Sequence, residues 1–231
     1  MQRDRLLALY DEYKAAFRGE QIVLGDGPIG APVLLVGESP GREEVKQGKP
    51  FVGPAGKNLT SFLEAACITR EEVFITNVIK YRLCRISEKT GNLVNRPPSK
   101  SDIVKNQPYL LCEIGILQPK LIVTLGNTAL SAICGEGRKI TEVHGQILSI
   151  EREDTKLEIF PLFHPASILY RRALEPSYRE DMEKLRKKIL ENKKTPLTKE
   201  IRDGIINRLS RRGRISGREK EPARQRMDIE N

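Results

Sequence analysis

With 231 residues, 39% of them hydrophobic and 31% charged, the chain is long enough for one core of about 150–190 residues plus an appendage. No apolar run approaches the ~20 residues that a membrane-spanning helix needs. Four cysteines without a C-x-x-C pair do not make a disulfide scaffold, and a metal site from them is not expected.

The net charge of +9 is unevenly spread: residues 192–231 carry 12 Lys+Arg against 6 Asp+Glu, leaving 28 against 25 elsewhere. A basic excess suggests a polyanionic partner, because each neutralised phosphate releases counterions. The first ten residues are mixed in charge and amphipathic, which argues against a signal peptide. A cytoplasmic protein is expected, nucleoid-associated if prokaryotic. The composition shift divides the chain into a domain over 1–191 and a basic extension over 192–231.

Leu6, Leu7, Tyr10, Tyr13 and Phe17 recur at helical spacing, so residues 3–17 predict an amphipathic helix. A Gly-rich loop leads to Val33-Leu-Leu-Val, a continuous apolar run that reads as a buried strand over 33–38. The strand runs into Gly37-Glu-Ser-Pro-Gly41, a turn that cannot extend it. A Gly- and Pro-dense loop over 47–56 follows, then a helix over 58–67. Residues 71–80 predict a second strand ending near Asn77.

Residues 81–101 read as a long connection, of the kind that is usually functional or disordered. A helix to Leu117, a third strand over 120–126 and a short helix over 128–134 come next. Residues 146–151 and 156–162 alternate as a hairpin around Glu153 and Asp154. The second of these continues into Phe163-His-Pro-Ala-Ser167. Residues 176–191 form a further amphipathic helix. Residues 198–209 have helical character, and 210–231 read as disordered. Cys67, Cys112 and Cys134 are expected to be small core residues, and Cys84 to lie in a polar loop.

Strands alternating with helices imply parallel βαβ units, whose ligands bind beyond the carboxyl ends of the strands. Glu38 with Ser39, Asn77, Gly126 and His164 would all reach that edge, with Phe51 on the loop after the first strand. A buried apolar strand does not need Asn or His at its end. The Asn77 carboxamide offers a donor beside an acceptor, the complement of uracil O4 and N3–H. Phe51 offers a face on which a base can stack. Each also has a purely structural reading, as loop amide and core plug.

Gly37-Glu-Ser-Pro-Gly-Arg-Glu-Glu44 and Gly48-Lys-Pro-Phe-Val-Gly-Pro-Ala-Gly56 resemble the first motif region of family 4 uracil-DNA glycosylases. Val73-Phe-Ile-Thr-Asn-Val-Ile-Lys80, Asn95-Arg-Pro-Pro-Ser99, Leu121-Ile-Val-Thr-Leu-Gly126 and Phe163-His-Pro-Ala-Ser167 match later motifs in order, over about residues 20–190. The resemblance implies a three-layer α/β/α sandwich around a short, mainly parallel four-stranded sheet. It also implies cleavage of the uracil–deoxyribose bond.

Residue by residue, the resemblance implies that Phe51 stacks on the flipped base and Asn77 reads its edge. Glu44 would crowd uracil C5, and Glu38 would place the water. His164 would bond O2, and Pro165, Ala166 and Ser167 would press on the minor groove. Ser39 would contribute backbone and small size, and Asn95 an alternative hold on water. Apart from the resemblance, Lys80 and Arg171 are candidate phosphate contacts that read equally as ordinary surface charges.

Most members of the family carry a four-cysteine iron–sulfur cluster. Here the N-terminal helix lacks cysteine, and the two later ligand positions hold Tyr81 and Asn106, so no cluster and no other cofactor is expected. The expected partner is uracil-containing DNA, bound by a monomer that does not insert into a membrane. The tail is free to take a DNA or protein partner. Two other readings stay open on the sequence: a non-catalytic uracil or abasic-DNA binder, and a small-nucleotide or phosphate-binding enzyme.

Overall fold

Every residue of strand β1, Val33–Gly37, is buried, as are those of β2, Val73–Asn77, and β5, Leu121–Leu125. Strands buried at every position require cover on both faces of a sheet. The computed structural model, which describes residues 1–152 and 155–194, provides it. β7 spans Thr155–Leu162 and β6 spans Leu148–Arg152. The sheet order is β2-β1-β5-β7-β6, with β2, β1, β5 and β7 parallel and β6 antiparallel at the edge. The sheet therefore has five strands rather than the expected four. The hairpin returns β6 onto β7 and so extends the parallel core by one strand.

Alternate residues feed two apolar layers. Val33 and Leu35 point with Ile75, Val123 and Phe160 into one core. Helix α3 (Pro54–Ala65) covers it with Leu59, Phe62 and Leu63, and α8 (Glu175–Lys194) with Tyr178, Met182, Leu185 and Ile189. Leu34 and Val36 face the opposite core, where α1 (Gln2–Ala16) and α4 (Lys100–Leu117) pack. On α1 the buried residues are Leu6, Leu9, Tyr10 and Tyr13, one stripe at helical spacing. Ser99 starts α4 by accepting from Asp102 N at 3.1 Å, while Asp102 Oδ2 accepts from Ser99 N at 2.8 Å.

The long connection is not structureless. Within it β3 (Cys84–Ile86) and β4 (Leu93–Asn95) form an antiparallel hairpin. Three-residue strands exposed at most positions carry no clear periodicity, which is why the sequence reads them as loop. The cysteine expectation also needs correction. Cys67 and Cys112 are exposed and Cys134 only half-buried, so the first two lie on the outer sides of their segments. No helix among the described residues is long and apolar enough to cross a membrane. The expected turn residues Glu153 and Asp154, and the extension beyond residue 194, lie outside the described residues.

Candidate active site

Helix α3, on the connection from β1 to β2, lies in one layer, whereas α5 (Asn127–Cys134), which follows β5, sends Ala129, Ala132 and Ile133 into the other. The connections leaving β1 and β5 thus part company, which opens a crevice at their carboxyl ends. In the sheet register Gly37 lies beside Asn77. A cavity of about 350 Å³ opens here, and its lining includes Ser39, Glu44, Phe51, Asn77, Asn95 and His164. Pro165, Ser167 and Arg171 do not line it. They sit on or just after the short helix α7 (Pro165–Tyr170), with Arg171 exposed. Ala166 lines the cavity together with Leu169 and Tyr170, which the sequence did not single out. Both are exposed apolar side chains at its rim.

Phe51 is buried in an unusual backbone conformation, with φ +54°. Residues of this size seldom adopt positive φ, so the surroundings must hold it. Arg70 does so in part, donating through Nη1 to the Phe51 carbonyl at 3.0 Å and through Nη2 to the Pro50 carbonyl. Gly56 makes room for the same carbonyl: a Cβ there would lie 1.9 Å from it. The ring then stands 5.9 Å from the His164 ring, tilted by 33°. Gly37 has a related purpose. A Cβ on it would fall 2.4 Å from Asn77 Oδ1 and 2.5 Å from Phe51 Cζ, so glycine lets both side chains approach the end of β1.

Asn77 is 2% exposed, and its Oδ1 is buried without a hydrogen-bond partner. A buried acceptor of this kind ordinarily carries a free-energy penalty, and Asn77 carries it beside the cavity. Glu44 differs. Its oxygens accept from Gly41 N at 3.1 Å, Val52 N at 3.0 Å and Gly53 N at 2.7 Å, which ties the Phe51 loop to α2 (Arg42–Gln47).

His164 Nδ1 accepts from Ala166 N at 3.1 Å, so the neutral ring carries its proton on Nε2. Burial pulls its pKa down to about 4, against the opposing pull of the Glu44 carboxylate. The ring is therefore neutral at pH 7. Glu38 stands outside the cavity lining, where its Oε2 accepts from Thr128 Oγ1 at 2.6 Å. Asn95 Oδ1 accepts from Arg82 Nε at 2.8 Å.

Lys80 is corrected. It is 1% exposed, and its ammonium lies 2.8 Å from Glu113 Oε2, so it cannot meet a phosphate. Its position after a strand reads as surface, but Glu113 covers it from a distant helix.

Residues 24–192 match the family described as the uracil DNA glycosylase superfamily. The chain belongs to this superfamily. It is 37% identical over 167 residues to a type-4 uracil-DNA glycosylase of Archaeoglobus fulgidus, covering 71% of this chain and 79% of that one. With the type-4 enzyme of Sulfurisphaera tokodaii it shares 40% over 169 residues, or 71% and 73% of the two chains. With that of Thermotoga maritima it shares 39% over 166 residues, or 71% and 80%.

The superfamily resemblance raises the question of an iron–sulfur cluster, which needs thiolates. Tyr81 and Asn106, at the two later ligand positions, are both buried. Asn106 Nδ2 donates to the Tyr81 hydroxyl at 3.3 Å, and Asn106 Oδ1 accepts from the Tyr13 hydroxyl. Phe17 stacks beside them, 4.5 Å from the Tyr13 ring and 5.2 Å from that of Tyr81. These side chains do not fit a four-cysteine cluster. Among the described residues, no group of three or more His, Cys, Asp or Glu side chains is arranged to hold a metal ion.

Proposed function

We propose that this protein is a uracil-DNA glycosylase that takes uracil out of the DNA stack and hydrolyses its N-glycosidic bond, leaving an abasic site. The observation that carries the reading is the buried, partnerless Asn77 Oδ1 at the wall of a cavity shared with Phe51 and a neutral His164. A donor beside an acceptor on one amide suits the O4 and N3–H of uracil, whereas cytosine presents the opposite pattern at both atoms.

Unstacking the target costs a few kcal/mol, partly offset by stacking on Phe51. The C1′–N1 bond then breaks with its electron pair moving onto the base, which leaves an oxocarbenium-like sugar and a uracil anion. His164 Nε2–H donates to O2 as the charge grows there. A donor fixed before the reaction needs little reorganisation, and in a water-poor pocket it favours the transition state. Water adds at C1′ and loses a proton, which passes through solvent to the uracil anion, so that the products are an abasic sugar and neutral uracil. Glu38, oriented by Thr128, is the group assigned to hold that water, with Asn95 as the alternative.

A single-uracil oligonucleotide treated with the protein and then with alkali tests the reading. Strand scission at the uracil is expected, and intact single and double strands would sink it. Gly37→Ala is expected to slow uracil release about 10²-fold, because displacing a positioned group by ~1 Å has effects of that size. Single-turnover rates check this, and a rate within threefold of wild type would count against the packing described for Asn77 and Phe51. The purified protein is also expected to lack cluster iron and sulfide, which elemental analysis and the visible spectrum report.

A further inference from the structure

Directly behind Asn77 lies a buried polar network that the mechanism above does not use. Lys80 Nζ donates to Glu113 Oε2 at 2.8 Å, to Thr76 Oγ1 at 2.9 Å and to the Asn77 carbonyl at 3.1 Å, which occupies all three ammonium protons. Glu113 Oε1 accepts from the Tyr10 hydroxyl at 2.5 Å, and the carboxylate also takes the Thr76 hydroxyl, 3.0 Å from Oε2. Burial and the Glu113 charge push the Tyr10 hydroxyl pKa upward, so it stays a donor. The Tyr13 hydroxyl accepts from Lys80 N at 2.9 Å and donates to Asn106 Oδ1, which continues the network to the corner where a cluster does not fit. Lys80 and Glu113 are 1% and 0% exposed at their side chains.

A buried ion pair is poor evidence for stability, since a well-packed apolar replacement is often as stable. What it supplies is a fixed geometry, and the atom it fixes here belongs to Asn77. The Asn77 carbonyl is held by Lys80, while the next two amides, Val78 N and Ile79 N, donate to the carbonyls of Gly37 and Glu38 at 3.0 Å each. Lys80 O accepts in turn from Val23 N at 2.7 Å. The turn 77–80 is thereby fastened to the end of β1 on one side and to α1 and α4 on the other.

We propose that Lys80 and Glu113 are positioning residues that hold Asn77 in register for the base, so that α1 and α4 take part in base reading. The proposal rests on the glycosylase reading of Asn77. Lys80→Met alone leaves a buried carboxylate unpaired and threatens folding, so the informative variant is Lys80→Met with Glu113→Gln, which removes both charges.

Single-turnover release of uracil is measured together with affinity for an abasic oligonucleotide, which carries no base for Asn77 to read. The folded double variant is expected to keep its reaction amplitude and its abasic-DNA affinity while the rate constant falls about tenfold or more, the size of effect that misplacing a catalytic group produces. A purely structural role would lower the amplitude instead. A folded double variant with a wild-type rate constant, or one that loses only amplitude, overturns the proposal.

Should the double variant not fold, Thr76→Val removes one Lys80 acceptor at similar volume and is expected to slow release in the same way by about threefold. An unchanged rate there overturns it equally. If wild type releases no uracil, the parent reading fails before any variant is compared.

Discussion

Asn77→Asp is expected to lower kcat/KM for uracil release by on the order of 10⁴-fold, the scale on which a site built to hydrogen-bond its substrate rejects a mismatched pattern. The substitution hardly changes side-chain volume, so the approach to Gly37 and Phe51 is retained. Its effect lies in the donor pattern. Asn77 offers an N–H for uracil O4 and an oxygen for N3–H, whereas an ionised Asp offers two acceptors, one of them facing O4. The carboxylate would also be buried at a position 2% exposed, where the Lys80 ammonium that holds the Asn77 carbonyl is already shared among three acceptors. Steady-state excision from a single-uracil oligonucleotide, with thermal melts to verify folding, measures this. A folded variant within tenfold of wild type would remove Asn77 from base recognition.

The parts of the site that could be read in the sequence are those whose chemistry is local. Val33–Val36 and Leu121–Val123 announce buried strands because three or four apolar residues in succession need cover on both faces. Asn77 and His164 stand out because each ends such a segment with a group that the core does not need.

Where a residue's meaning depends on partners distant in sequence, reading fails. Lys80 looks like a surface cation, yet Glu113 is 33 positions away and turns it inward. Glu44 looks free to meet the base, yet three backbone amides within nine residues hold its carboxylate. Gly37 suggests close approach of a ligand, but what approaches is the protein's own Asn77 and Phe51. Arg70, which braces the Phe51 carbonyl, and Thr128, which orients Glu38, give no signal of their own, because neither type of residue is unusual at the start of a helix. The fifth strand was legible as one arm of the expected hairpin, and its pairing with β7 adds it to a sheet that the resemblance implies has four strands.

His164→Ala is expected to lower kcat by about 10²–10³-fold with a smaller change in KM, as loss of one preorganised donor to a developing anion does. The hydrogen bond from Ala166 N to Nδ1 decides which nitrogen donates, and it requires the neutral ring. The dependence of kcat on His164 is therefore expected to be flat from pH 8 down to about pH 5 and to fall as pH approaches the ring's value of about 4. Protonating Nδ1 would set one N–H against another and turn the ring from its place.

The same group leaves a mark on folding. Its pKa is about 4 in the folded chain, against ~6.5 when unfolded. Between those values the unfolded chain takes up a proton that the folded chain refuses, so stability falls as pH drops through that window. From pH 7 to pH 5 this one residue should account for ~2 kcal/mol of lost stability. Urea unfolding at the two pH values, in wild type and in His164→Ala, isolates it: wild type should lose ~2 kcal/mol more than the variant on acidification. Equal losses in the two proteins would mean that His164 titrates normally, and the neutral-donor mechanism would lose its basis.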